Sequence, residues 1–300
     1  MKDEFLAFVS AFSIRKTRAQ KKYFLSQMTR MLRKQGIKVH LQQTSLHGSS
    51  IRNLIIHDLN QADVIIFCGY DTTGRKILPF CYEPLKTEKN LRFIFMDTIL
   101  RWILNGILLI TGITLFHHGM RLEPLWWLCI AGSVLCAMIA TMWANDMDNH
   151  SSLNKSASVF LLLKMAKEKC CTQCAYVLMD QGSYREWGME VLLKEYPQLR
   201  EKTMIYLDCL AMGKQLVLAQ KMEQNEKITT WFKQCSWVSK RIVDLPFQHR
   251  FTSLRKLMIL TSSELSEQEI IINNLGYDNT LDVTFMQAVF EWLMRCPEDF

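Results

Sequence analysis

Residues 52–72 read RNLIIHDLNQADVIIFCGYDT, and the alternation they set up governs the rest of the chain. Two short apolar runs, rich in β-branched residues, flank the polar stretch around His57 and Asp58. Runs this short between turn-forming residues read as buried strands. The second run leaves its sheet at Gly69-Tyr70-Asp71. Working outward, strands are expected at 37–46, 51–59 and 62–69, after a basic helix at 17–34. Further on come a helix at 156–167, a strand at 175–179 and a helix at 186–195. Strands at 204–210, 215–219 and 256–261 precede a last helix at 283–295. Helices interleaved with apolar strands define an α/β sheet covered on both faces. There is no internal repeat and no low-complexity tract.

Three hundred residues suffice for one large domain or two small ones. A hydrophobic fraction of 49% is ordinary for a soluble protein, so any membrane segment must be local. The net charge of +7 suits an anionic membrane face better than nucleic acid. Ten scattered cysteines do not make the dense framework of a small secreted domain. The N-terminal apolar stretch is broken by Asp3 and Glu4 and precedes no small-residue cleavage pattern, so it reads as a helix start in a reducing, cytosolic setting.

Two apolar segments interrupt the α/β pattern. The first, 102–116, lengthens when begun near Ile99; with a core of roughly 30 Å to cross, Arg101 must then snorkel to the interface and pair with Asp97 four residues earlier. The second, 125–143, is uncharged, with Trp126, Trp127 and Trp143 at its ends. The connector 117–124 permits only a tight turn, so a two-helix transmembrane hairpin is expected, with spans at about 99–116 and 125–143. Lys86, Lys89, Arg92 and Arg101 precede it, whereas the connector holds Arg121 offset by Glu123. The flanks, with both termini and the α/β domain, are therefore expected on the cytoplasmic side of the cell membrane.

The order of SIRKTRAQKKYF, RNLIIHDLNQADVIIFCGYDT, SASVFLLLKMAKE, AYVLMDQGSYREWG, MIYLDCLAMG and YDNTLD resembles the landmarks of the di-zinc aminopeptidases, a family of zinc exopeptidases. More narrowly it is similar to bacterial members that carry a membrane hairpin after the first metal motif. The resemblance covers nearly the whole chain. It implies a three-layer α/β/α sandwich with a mixed sheet and two zinc ions about 3.5 Å apart, served by a glutamate general base. It also implies which positions here stand at the metal site. The first His-x-Asp motif reads Gly69-Tyr70-Asp71, and the bridging Asp becomes Asn154. The Glu-Glu pair becomes Gly182-Ser183, the strand-end Asp is kept as Asp208, and the last His becomes Leu275. One of five ligands is left and the base is gone, so no zinc is expected. A small register shift would bring Asp180 or Glu186 into the site, and His150 or His249 stand as substitute ligands.

Other residues carry weaker signals. Cys170, Cys171 and Cys174 include a CxxC, read as redox-active, as half a zinc site or as structural. His117-His118 beside the hairpin turn is read as a metal or pH-sensing pair or as an interfacial polar pair. The basic run Arg15, Lys16, Arg18, Lys21 and Lys22 is read either as pressed onto anionic lipid or as solvated. Trp231, Trp237 and Trp292 read as core or groove-lining residues.

The sequence thus predicts an aminopeptidase-like domain in two parts, 1–94 and 146–300, split by a hairpin at 95–145. The expected function is that of an inactive, membrane-anchored homologue that binds a peptide or protein, such as an active paralogue, and no nucleic acid. Alternatives are a metallopeptidase with relocated ligands, a thiol-dependent hydrolase built on 170–174, and a transport- or immunity-type membrane protein.

Overall fold

A computed structural model describes residues 1–72, 82–119, 131–135, 137, 153–168, 173–180, 187–211, 213–221, 226–237, 239–246, 251, 253–263, 270 and 281–295. Helices Lys2–Phe12 (α1) and Arg18–Lys34 (α2) open the chain. Thr17 closes a capping box on α2: its hydroxyl accepts from the Gln20 amide at 3.3 Å, and the Gln20 side chain accepts from the Thr17 amide at 2.9 Å. Strands Val39–Leu46 (β1) and Ser49–Ile56 (β2) form a hairpin over a two-residue turn. His47 and Gly48 both take positive φ, 48° and 73°, the turn geometry that follows the right-handed strand twist. The expected strand 51–59 stops at Ile56 because His57 turns the chain at φ 69°.

Strand Val64–Gly69 (β3) is followed by helices Thr87–Gly119 (α3) and Leu153–Glu168 (α4). Then come Cys174–Met179 (β4), Trp187–Glu195 (α5), a 3-10 turn at Pro197–Arg200 and Thr203–Asp208 (β5). Gln215–Gln220 (β6), Glu226–Lys233 (α6), Lys240–Asp244 (β7), Lys256–Ser263 (β8) and Val283–Leu293 (α7) complete the described elements. Strand β5 ends at Asp208, two residues short of expectation, because Cys209 adopts φ 56°. Strand β7 escaped the sequence reading; as the last strand of the sheet it carries Lys240, Arg241 and Asp244 instead of an apolar run.

The eight strands form one mixed sheet in the order β1-β2-β4-β3-β5-β8-β6-β7, drawing strands from both sides of the apolar region. Strands β4, β3, β5 and β8 run parallel, while β2 and β6 join them antiparallel. All six residues of β3, β4 and β5 are buried, which is why each reads as an unbroken apolar segment. Helices α1, α2, α4 and α7 cover one face, and α5 with the 3-10 turn covers the other. Trp231 and Trp292 stack at 4.0 Å in the first of these cores, and Trp237 meets Phe285 edge-on.

Helix α3 begins well before the expected span, at Thr87. Its 33 residues span about 50 Å. Its first turns stand on the domain: the Asn90 side chain donates to the Glu83 carbonyl at 2.7 Å, and Asp97 is buried against Arg101 at 2.9 Å. Beyond them Trp102 is 72% and Ile110 65% exposed. Only 6% of the most apolar stretch is buried, unlike the core helix of a soluble domain. By length and composition Thr87–Thr114 is the one helix among the described residues fit to cross a membrane. The second expected span and the connector lie largely outside the described residues. Residues 131–135 are helical, and a Cβ on Gly112 would stand 3.0 Å from a Val134 methyl.

Helix α5 approaches the sheet so closely that a Cβ on Gly188 would stand 2.3 Å from the Asp180 carbonyl and 3.0 Å from Asn53 Oδ1. Backbone cannot withdraw as a flexible side chain can. Gly188→Ala is expected to lower stability by about 2 kcal/mol or more in urea titrations, with the unfolding slope unchanged.

Candidate functional site

In an open α/β sheet the connections leaving the strands' carboxyl ends diverge at a switch point, and ligand sites form there. Strand β3 is that point here: its connection leads to β4 on one side, and β5 lies on the other. The carboxyl ends bring together Gly69-Tyr70-Asp71, Asp180 and Asp208-Cys209. Asp71, Asp180 and Asp208 are all buried.

Asp208 is engaged by side chains of the chain itself. Its Oδ2 accepts a 2.7 Å hydrogen bond from the Tyr82 hydroxyl, and the Cys209 thiol lies 3.4 Å from Oδ1. Tyr82 is buried, with the Lys155 ammonium 5.7 Å from its ring centroid. Lys155, 5% exposed, occupies the first turn of α4, where the helix dipole opposes a cation. Its placement there requires compensating anions nearby.

Cys68 reports how those charges are gathered. Burial pushes its thiol far above the ordinary value; Arg15 and Lys155 pull it down, while Asp208 and Asp71 push it up. Two cations and two carboxylates therefore lie within electrostatic reach of the end of β3.

Arg15 is 0% exposed, which corrects both readings of it as a surface cation. Its Nε donates to the Tyr70 carbonyl at 2.5 Å, one terminal nitrogen donates to the Phe12 carbonyl, and the other to Ser156 Oγ at 3.1 Å. Burial lowers its pKa to about 10, with Cys68, Asp71 and Tyr70 opposing the fall, so it remains charged at neutral pH. Lys21 leaves the surface set as well: it pairs with Asp180 at 2.6 Å. The other Asp180 oxygen accepts from the Arg52 amide at 3.1 Å. Tyr70 donates to the Arg52 carbonyl at 3.1 Å, and burial, reinforced by Asp180 and Asp71, holds its hydroxyl pKa well above the usual range.

Of the positions the resemblance placed at the metal site, the structure gathers Gly69, Asp71 and Asp208 at adjacent strand ends. Asn154 lies at the start of α4, with its side chain outside the described residues. Gly182, Ser183, Leu275, Glu186, His150 and His249 lie outside them too, as do Cys170 and Cys171. The side chains of His117 and His118 are likewise outside the description. Cys174 is the buried first residue of β4. Among the described residues no three His, Cys, Asp or Glu side chains converge as a metal set. Gly69 offers no donor, and a buried lysine near Asp208 repels a dication, so the described residues do not fit a zinc pair. Sequence reasoning missed Tyr82, Lys155 and the inward turn of Arg15. Only Lys155 had a signal, as a lone cation opening the apolar run SASVFLLL.

The architecture is a zinc-exopeptidase-like fold, shared with glutaminyl cyclases and aminopeptidases. Neither a protein-family model nor a curated protein matches the sequence. Among solved structures, Porphyromonas gingivalis glutaminyl cyclase has a TM-score of 0.54 at 12% identity, covering 97% of this chain and 94% of that one. Bacteroides thetaiotaomicron glutaminyl cyclase bound to N-acetylhistamine has a TM-score of 0.52 at 14% identity, covering 99% and 95%. Legionella pneumophila LapA aminopeptidase has a TM-score of 0.54 at 7% identity, covering 97% and 66%. At these identities the likeness is one of fold.

The Cys68 thiol gives a pH test. In the unfolded chain it ionises near 9.0, whereas burial keeps it protonated in the fold. The folded state then binds more protons above that pH, so stability is full below about pH 9 and falls as pH rises. Unfolding free energies from urea titrations between pH 7 and 10 should decline more steeply for the native protein than for Cys68→Ala, by up to about 1.4 kcal/mol per pH unit above 9.

Proposed function

We propose that this chain is a membrane-anchored relative of the zinc exopeptidases that has lost their catalysis and acts by binding a peptide or protein. The observation that carries the reading is the engagement of Asp208 by the chain itself: Tyr82 donates to it at 2.7 Å, and the buried Lys155 ammonium stands 5.7 Å from that tyrosine ring, where the family resemblance would place metal. Tyr82 holds the carboxylate that would otherwise face an ion. The replacements at Gly69, Asn154, Gly182, Ser183 and Leu275, inferred from the family resemblance, point the same way. A peptide-binding role follows from the retained scaffold, and an active paralogue is the partner best suited to a mixed dimer.

The anchoring reading rests on the exposed apolar surface of α3. A second span at about 125–143 is supported by its composition and by the close approach of Val134 to Gly112, of the kind small residues allow between membrane helices. The basic flanks of the hairpin favour a cytoplasmic domain. On this reading the domain runs as 1–94 and 146–300 around a hairpin at 95–145.

Protein purified without chelator is expected to hold well under one zinc per chain by elemental analysis. It should neither release amino acids from aminoacyl substrates nor cyclise N-terminal glutamine, the reaction for which the neighbouring cyclases are named. Two tightly held zinc ions per chain, or chelator-sensitive turnover of either substrate, would establish a relocated-ligand enzyme instead. Turnover that resists chelators but is abolished by thiol alkylation would establish the cysteine hydrolase.

A further inference from the structure

Between Phe5 and His57 the chain carries ten Lys and Arg residues and no Asp or Glu. The whole chain is only +7, so the remainder is net acidic and the positive charge belongs to one structural unit. That unit is α1, α2 and the β1–β2 hairpin, at one margin of the sheet. Arg15 and Lys21 are already engaged by the strand ends, as the site geometry shows. Others line a groove of about 720 Å³ between α2 and the hairpin: Lys22, Arg30, Arg33, Lys34 and Arg52. Four of these are exposed and Arg52 is half-buried, while Leu25 and Leu41 give the groove an apolar side. Among the described residues no carboxylate lines it.

The groove is also placed with respect to α3. Arg52 meets Asp180 just past the end of β4, and Lys22 follows the lysine that pairs with the same carboxylate. Tyr82, five residues before α3, meets Asp208 at the end of β5. One end of the groove and the root of the apolar helix thus lie at the same edge of the sheet.

We infer that the α2–hairpin groove docks on the anionic phospholipid surface of the membrane that α3 enters, with headgroup phosphates taken by Lys22, Arg30, Arg33, Lys34 and Arg52. This rests on the anchoring reading. Headgroups present dense negative charge above an apolar layer, which matches cations arranged around Leu25 and Leu41. Each cation held near such a surface strengthens association about five-fold, and the attraction decays within a Debye length of about 8 Å at physiological salt.

The full chain is reconstituted into nanodiscs of phosphatidylcholine alone or with 30% phosphatidylglycerol. Lysines are then reductively methylated with formaldehyde, a neutral reagent, and quantified by mass spectrometry. In the anionic discs labelling of Lys22 and Lys34 is expected to fall about five-fold relative to Lys194 and Lys256, exposed lysines on other elements. The protection should vanish at 0.5 M salt and in the double variant Arg30→Glu/Arg33→Glu, whose changes lie on an exposed helix surface. Equal labelling of Lys22 and Lys34 in the two lipids, or equal protection of all four lysines, overturns the inference. Carbonate extraction from vesicles of the same two compositions tests the anchor separately. A chain that extracts freely from both has no anchor whatever the lysines report, whereas a retained chain without lysine protection keeps its anchor and loses the docking face.

Discussion

A guanidinium shut away from water must have its donors answered by the protein, and Arg15 is in that position. Its partners come from three places: the end of α1, the exit of β3 and the first turn of α4. A backbone pair reinforces the link, with the Thr72 amide donating to the Arg15 carbonyl at 3.3 Å. The Arg15 amide in turn donates to the Thr72 hydroxyl at 2.8 Å. The path of residues 69–72 across the sheet's edge is therefore set from the N-terminal helices. Tyr70 is consequently buried with its hydroxyl on the Arg52 carbonyl, and Asp71 stays within the charge cluster. Losing one of these hydrogen bonds to a buried charged group costs about 1.5–3 kcal/mol, so the N-terminal layer and the sheet edge hold together as one unit.

That constraint also bears on how Asp71 and Asp208 are held in the fold. In a metal enzyme the carboxylates at these strand ends would be neutralised by the ion. Here Arg15 lies within electrostatic reach of Asp71, and Tyr82 supplies Asp208 with a hydrogen bond that a bare carboxylate would otherwise lack. Buried charges stay buried only when paired, so losing Arg15 would press on Asp71. Both acids thus have partners within the fold that account for their burial.

The sheet was legible because its central strands are buried on both faces and so spell out apolar runs such as VIIFCG and AYVLM. The ends were harder to read, since they depend on single backbone turns at His57 and Cys209 that carry no apolar signature. Strand β7 was illegible for the opposite reason: an edge strand carries charge and resembles a loop. At the site, Asp208 stood out at a strand end, whereas Tyr82 did not, because its partner is 126 residues away and no local pattern links them. Arg15 was misread because a basic residue among basic neighbours looks solvated. Only its place between two helices that fold back on β3 turns it inward.

Tyr82 also couples the site to the apolar helix. It packs with Cys209 and Phe93, so one cluster contains the residue after Asp208 and a residue from the second turn of α3. Just beyond Tyr82, the buried Glu83 carboxylate is flanked by Lys86 at 2.8 Å and by Lys89. Burial would raise its pKa, and the bonds from these two lysines outweigh that and hold it below the usual carboxylate value. The Asn90 side chain returns to the Glu83 backbone in both directions, accepting at 3.2 Å and donating at 2.7 Å. These contacts fix the root of α3 against the carboxyl end of β5. A tilt of the helix about that root must then either carry Tyr82 with it, straining its bond to Asp208, or break the clamp at Glu83. The apolar helix and the strand-end cluster are in this sense one mechanical element, with Tyr82 and Phe93 among the residues that join them.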